Sequence, residues 1–327
     1  VTDGSAVECS IVLTYLPPTL TLRTLVSGGS ASPGAWLLGA ETTAGIRASI
    51  SGTSGSADVT AVPVPVGRYR LAESGGPTWY ATGAWACTGG SLTGAAEVEL
   101  SEGSTVVCSV TQTYLPPRLT LVKLVVNGTL GSADASAWTV SATNGARSLS
   151  GAGGTSGDAV VGTWTLGQSA GPAGYASGAW DCSDRGFPAV MSDGTHVVVA
   201  EGSEIVCSST STYIPPGLTL TAEIVGDGPA LATDWRLSAT NVVTGVRVLD
   251  GPTPQYATAI AAGSYRLDLT GGSAWYTTSS WLCTGATPSG NVVAVTDGSR
   301  VSCRVELAYR WPRLTLVVTT SGPAPAT

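Results

Sequence analysis

A cysteine, a tyrosine and a double proline recur in fixed order along this chain, and no other feature limits its fold as tightly. The stretch Cys108-Ser-Val-Thr-Gln-Thr-Tyr114-Leu-Pro116-Pro117-Arg-Leu-Thr-Leu121 returns with small changes at Cys9 to Leu22, Cys207 to Leu220 and Cys303 to Leu316. The cysteines at 9, 108, 207 and 303 are therefore 99, 99 and 96 residues apart. Self-similarity at a fixed period marks an array of like units. One unit ends inside this stretch and the next begins there. The expected organisation is a closing fragment over 1–16, whole units over 17–115, 116–214 and 215–311, and an opening fragment over 312–327. The fragments either continue in a longer polypeptide or are completed by neighbouring protomers through strand addition.

Each unit repeats the same landmarks. After the prolines comes an alternating strand, with Leu20 and Leu22, Leu119 and Leu121, or Leu218 and Leu220 on one face. A second strand carries Trp36, Trp138 or Trp235. A Gly/Ser/Thr-rich segment follows (Ser49 to Val62, Ser148 to Val161, Val248 to Ile260) and reads as a surface loop. Next come Gly67-Arg-Tyr-Arg-Leu71, Gly162-Thr-Trp-Thr-Leu166 and Gly263-Ser-Tyr-Arg-Leu267, with an aromatic and a leucine on one strand face. Tyr80, Tyr175 and Tyr276 then precede Trp85-Ala-Cys87, Trp180-Asp-Cys182 and Trp281-Leu-Cys283. Finally Asp3-Gly, Glu102-Gly, Glu201-Gly and Asp297-Gly stand six residues before a cysteine. An acid-Gly pair between alternating strands signals a closing hairpin. About seven short strands per unit and no helical period predict an all-β chain of tandem β-sandwiches of about 97–99 residues.

Of the seven cysteines, Cys87 with Cys108, Cys182 with Cys207 and Cys283 with Cys303 form one pair per unit. Cys9 aligns with the second member of each pair and is left unpaired, or free for an intermolecular bond. With a single histidine and no Cys-x-x-Cys, disulfides are favoured over zinc, which implies an oxidising location. Composition agrees. Charged residues make up 11% of the chain and Gly numbers 43, with one Phe and one Met. The net charge of −7 is spread out and there is no basic stripe, which argues against nucleic acid. No apolar run approaches the roughly 20 residues that span a bilayer.

Catalytic constellations do not stand out. His196 has no second base near it in sequence, and Glu97 and Val292 take its place in the other units. The acid-Gly turns each offer one carboxylate, whereas calcium needs several clustered oxygens, so neither metal nor cofactor is expected. Asn127-Gly-Thr reads as a chance sequon. Trp79 and Trp275, beside the landmark tyrosines, are candidates for stacking on a sugar or for covering the sandwich edge. The residues expected to form inter-domain joints are Tyr15, Pro17, Pro18, Tyr114, Pro116, Pro117, Tyr213, Pro215, Pro216, Trp311 and Pro312. In the last copy, Tyr309-Arg-Trp311-Pro312, a tryptophan replaces the first proline.

At Val66-Gly-Arg-Tyr-Arg-Leu-Ala-Glu73, at Gly162-Thr-Trp-Thr-Leu-Gly-Gln168, at the Trp-x-Cys landmarks and at the closing Tyr-x-Pro-Pro-x-Leu-Thr-Leu, the chain resembles the prealbumin-like, collagen-adhesin B-type (SpaA-like) domains of bacterial surface proteins. That resemblance implies a transthyretin-like sandwich serving as stalk, pilin or adhesin module. Members of that family often cross-link a first-strand Lys to a last-strand Asn beside an acid. The Lys place holds Thr24, Lys123, Ala222 and Val318. The Asn place holds Leu13, Gln112, Ser211 and Leu307, and the acid place holds Glu73, Gln168 and Leu269. No unit keeps all three, so no such bond is expected.

The functional expectation is a non-enzymatic structural protein outside a bacterial cell, forming a stalk, filament or sheath by self-association or within a longer array. The rival readings are an adhesin that recognises glycan or protein through variable loops and exposed tryptophan, and accessory modules of a larger secreted enzyme.

Overall fold

A computed structural model describes residues 3–45, 48–319 and 321–322. Six sheets form three sandwiches, each with its own apolar core. Helix among the described residues is limited to four three-residue 3-10 turns.

The first unit contains β1 (Thr19–Ser27), β2 (Trp36–Thr42), β3 (Ser49–Thr53), β4 (Val62–Pro63), β5 (Gly67–Gly75), β6 (Tyr80–Thr88), β7 (Ser91–Gly94), β8 (Glu97–Leu100) and β9 (Thr105–Tyr114). One sheet runs β4-β1-β9-β6 and the other β3-β2-β5-β8-β7. β1 and β9 are parallel in unbroken register from Thr19 opposite Thr105 to Ser27 opposite Thr113. The alternation read from sequence sets the core: Leu20, Leu22, Leu38, Tyr69, Leu71, Val98 and Leu100 interdigitate between the sheets with Val106 and Val110. Cys87 on β6 lies directly opposite Cys108 on β9, and the two are bonded with Cα atoms 4.1 Å apart. Units two and three repeat this plan. Their first strands, Arg118–Val126 and Gly217–Val225, run parallel to the last strands, Glu204–Tyr213 and Arg300–Tyr309. Their disulfides join Cys182 to Cys207 and Cys283 to Cys303. Trp85, Trp180 and Trp281 pack into the same cores as those cysteines.

Four expectations change. The units hold nine, ten and nine strands rather than about seven. The additional ones lie largely in the Gly/Ser/Thr-rich segments read as loops. There β3 pairs with β2 while β4 pairs with β1, so the segment passes from the edge of one sheet to the edge of the other. Most residues of that segment are small, and its few apolar ones, Ile50, Val59 and Val62, reach the core without a regular period. The acid-Gly turn does not close a hairpin. β8 lies in one sheet and β9 in the other, so the turn carries the chain across the sandwich. After it, Thr19 N–H donates to Ser104 O at 2.9 Å, and the chain pairs with β1 instead of doubling back on β8. Finally, the flanking segments are not strands. The described residues 3–16 and 310–319 carry no strand and are largely exposed. A closing strand is held between a first strand and a Trp-x-Cys strand, and residues 7–15 meet neither. Val1, Thr2, Thr320 and residues 323–327, assigned from sequence to the fragments, lie outside the described residues.

Candidate functional site: the junctions between units

An aromatic ladder marks one end of every sandwich. In the first unit Trp36 stands edge-on to Tyr80 at 5.3 Å, and Tyr80 is tilted against Tyr114 at 5.6 Å. The second unit repeats this with Trp138, Tyr175 and Tyr213, and the third with Trp235, Tyr276 and Tyr309, where Trp311 adds a fourth ring at 5.4 Å. Edge and tilted geometries are the favoured ones for such pairs. The middle tyrosine is fixed by its hydroxyl, which accepts from the N–H of Ala31, Ala133 or Ala230 at 3.0 Å in each case. In the second unit that hydroxyl also donates to Asn127 Oδ1. The Asn127 amide is thus part of the ladder's packing. Each ladder tryptophan lies on a glycine with positive φ, Gly76, Gly171 or Gly272, where a Cβ would fall within 2.2 Å of the indole.

The acid-Gly turn of each following unit meets this end. Gly103, Gly202 and Gly298 have φ of 70°, 77° and 72°, a conformation that favours glycine. Between units one and two, Glu201 Oε2 accepts from Ser30 Oγ at 2.7 Å. Gly202 lies flat against Trp79; a Cβ there would be 2.3 Å from the indole. Between units two and three, Asp297 Oδ1 accepts a short hydrogen bond from the Tyr213 hydroxyl. Burial first, and then that hydrogen bond and the Asp297 charge, push the Tyr213 phenol up to about 12. Gly298 there faces Gly174, the positional equivalent of Trp79, with its would-be Cβ 2.9 Å from the Gly174 Cα. Burial, followed by the nearby Glu201, also raises Tyr114. At the start of unit one, Gly103 N–H donates to Leu16 O at 2.8 Å.

The residue before the middle tyrosine is clamped alike in all three units. The carbonyls of Trp79, Gly174 and Trp275 accept from the N–H groups of Leu115, Ile214 and Arg310 at 3.0, 2.7 and 2.7 Å. Strands begin directly after the second prolines, whose carbonyls accept from Val64, Ala159 and Ile260. Open clefts of about 380 and 420 Å³ flank the first junction.

Of the site residues expected from sequence, the structure brings Tyr114, Pro116 and Trp79 to the first junction and Tyr213 to the second. Trp79 is half-buried against Gly202, whereas Trp275 is 62% exposed. Sequence reasoning missed Ser30, Gly174, Glu201, Gly202, Asp297 and Gly298. The available signal was an acid at all four turns, because turn chemistry alone requires only the glycine. Cys9 is exposed and carries no disulfide. His196 Nδ1 is 2.8 Å from Asp193 Oδ1, and Asp193 is held well below the usual carboxylate range by that hydrogen bond. Among the described residues no group of three His, Cys, Asp or Glu could hold a metal, and no helix is long and apolar enough to cross a membrane.

The three cross-link places do converge inside each sandwich, with different chemistry. In unit one Gln112 Nε2 donates to Glu73 Oε2 at 2.5 Å and Thr24 Oγ1 donates to Glu73 Oε1 at 3.4 Å. In unit two Lys123 Nζ donates to Gln168 Oε1 at 2.6 Å, over the Trp138 ring. In unit three Ala222, Leu269 and Leu307 are simply core.

Three tandem sandwiches, each with its first and last strands paired in parallel, define a repeat of prealbumin type. The family model for the prealbumin-like fold domain matches residues 16–110, 115–209 and 214–305, and the chain belongs to that family. Among solved structures, the Bacillus anthracis TIE protein is similar at 13% identity and a TM-score of 0.47, over 90% of this chain and 51% of that one. The pilus adhesin SpaC from Lactobacillus rhamnosus GG is similar at 10% identity and 0.28, over 89% and 44%. The major pilin T-13 from Streptococcus pyogenes is similar at 10% and 0.30, over 59% and 97%. The chain thus spans about half the length of the first two. No curated protein matches it.

Proposed function

We propose that this chain is a non-enzymatic extracellular structural element, a string of prealbumin-like sandwiches that forms part of a stalk or filament on a bacterial surface. The observation that carries this reading is the recurrence of one junction: an acid-Gly turn set against the aromatic end of the preceding unit, twice within the chain. At these junctions the double prolines, Pro116-Pro117 and Pro215-Pro216, restrict the backbone and withhold donors. One buried cross-strand disulfide per unit suits an oxidising exterior. Small-angle scattering of the 327-residue chain should give a rod one sandwich wide and three long; a compact particle would refute the proposal. Immunogold labelling of intact cells tests the location.

An adhesive role draws on one feature of unit two. Its longer Cys182–Cys207 segment exposes Phe187 at 75% and Val190 at 68%. Glycan- or protein-array binding that disappears in Phe187→Ala would support that reading.

A further inference from the structure

We infer that the exposed end of unit three, built from Trp275, Tyr309 and Trp311, is a half-junction that receives the acid-Gly turn of a further prealbumin-like unit opening at Leu314. The inference rests on the proposed string of sandwiches and names what the third junction binds.

Both internal junctions join the same parts. The residue before the middle ladder tyrosine meets the glycine of the following turn, as Trp79 meets Gly202 and Gly174 meets Gly298. The carboxylate of that turn accepts from a hydroxyl of the preceding unit, Ser30 or Tyr213. Unit three presents its half complete. Trp275 is held by Arg310 as Trp79 is held by Leu115. The ladder ends in Tyr309, the counterpart of Tyr213, and Trp311 stands edge-on to it. Pro229 occupies the place of Ser30, which leaves the Tyr309 hydroxyl as the donor for the incoming carboxylate, as in the second junction. Trp275 and Trp311 are 62% and 66% exposed, an uncovered indole pair at the position where Trp79 is covered. The segment beyond Pro312 identifies the occupant. Leu314-Thr-Leu316 carries the opening-strand alternation of the other units, yet Leu314 and Leu316 are 86% and 82% exposed, and among the described residues no strand pairs with them.

The test compares hydroxyl-radical oxidation of individual tryptophans in two chains. One is the 327-residue chain. The other is a four-unit chain in which residues 1–313 are followed by a second copy of residues 119–214. In the existing chain Trp275 should oxidise faster than Trp79 at every protein concentration. In the four-unit chain its rate should fall to that of Trp79, and valine at the appended copy's equivalent of Gly202 should restore it. Unchanged Trp275 oxidation in the four-unit chain overturns the inference. So does concentration-dependent protection in the 327-residue chain, which would make a second copy the occupant. Scattering on the same samples reports the rod separately, so a failed third junction is distinguishable from a failed string.

Discussion

Glu73 is a half-buried carboxylate beside the buried Thr24 and Gln112, and its surroundings show what each unit does with the same three places. Burial raises its pKa, partly offset by hydrogen bonds from Thr24 and Gln112. A raised carboxyl favours the protonated fold, so this contribution is fully present below the ordinary value of 4.5 and is lost as pH rises through the folded value. Glu73→Gln should flatten that dependence of unit-one stability on pH. Glu73→Leu alone leaves the fully buried Gln112 amide without its carboxylate and should cost about 1–3 kcal/mol. Thr24→Ala, Glu73→Leu and Gln112→Leu together reproduce the apolar set of unit three and should recover that loss. Amide-exchange protection in β1 and β9 reads both. Lys123 is the opposite case: burial lowers it from 10.5, and its ammonium donates to the neutral Gln168 rather than to a carboxylate. Its neutral form suits the fold, so its destabilising effect is complete below the folded pKa and fades as pH climbs towards 10.5. Lys123→Met should therefore raise the melting temperature of unit two at about pH 7, with a smaller gain near pH 10.

At the level of strands, legibility follows burial. β1, β5 and the Trp-x-Cys strands were readable because large side chains alternate on them; Leu20, Leu22, Tyr69 and Leu71 are all buried. β3 and β4 were not, because β3 carries one large apolar residue, Ile50, among Ser, Gly and Thr, and β4 is only Val62-Pro63, too short to show a period. The acid-Gly turn was recognised by its glycine, but its role was hidden, since the contact that explains the acid lies in another unit. The cysteine pairs were legible from spacing, and the structure sets each pair directly opposite on adjacent strands. Cys87→Ser with Cys108→Ser should lower the stability of unit one by about 3 kcal/mol on the loop-entropy account. Exchange protection should fall in β6 and β9 while units two and three keep theirs.

Over the whole chain, the junctions decide shape. Gly202→Val would press a side chain into Trp79 and should change the angle between units one and two, seen as an altered maximum dimension in scattering while each unit melts as before. The second junction should respond to alkali. With the Tyr213 phenol at about 12, its contribution is complete below about 10, the ordinary phenol value, and is lost between there and 12. Scattering should show the molecule becoming more flexible across that window, and Tyr213→Phe should remove the response.

The parallel pairing of first and last strands has a mechanical meaning. The chain enters each sandwich at the start of its first strand and leaves at the end of its last. Because the two are parallel neighbours in unbroken register, tension along the string pulls them past each other. The load falls as shear on the whole row of backbone hydrogen bonds at once, instead of opening them one by one. The disulfide lies off that path, tying β9 to β6. If the first strand gives way, the segment from Cys87 to Cys108, 21 positions apart in sequence, still cannot be drawn out. An overloaded unit would lengthen by a limited amount and keep a folded remnant on which to close again.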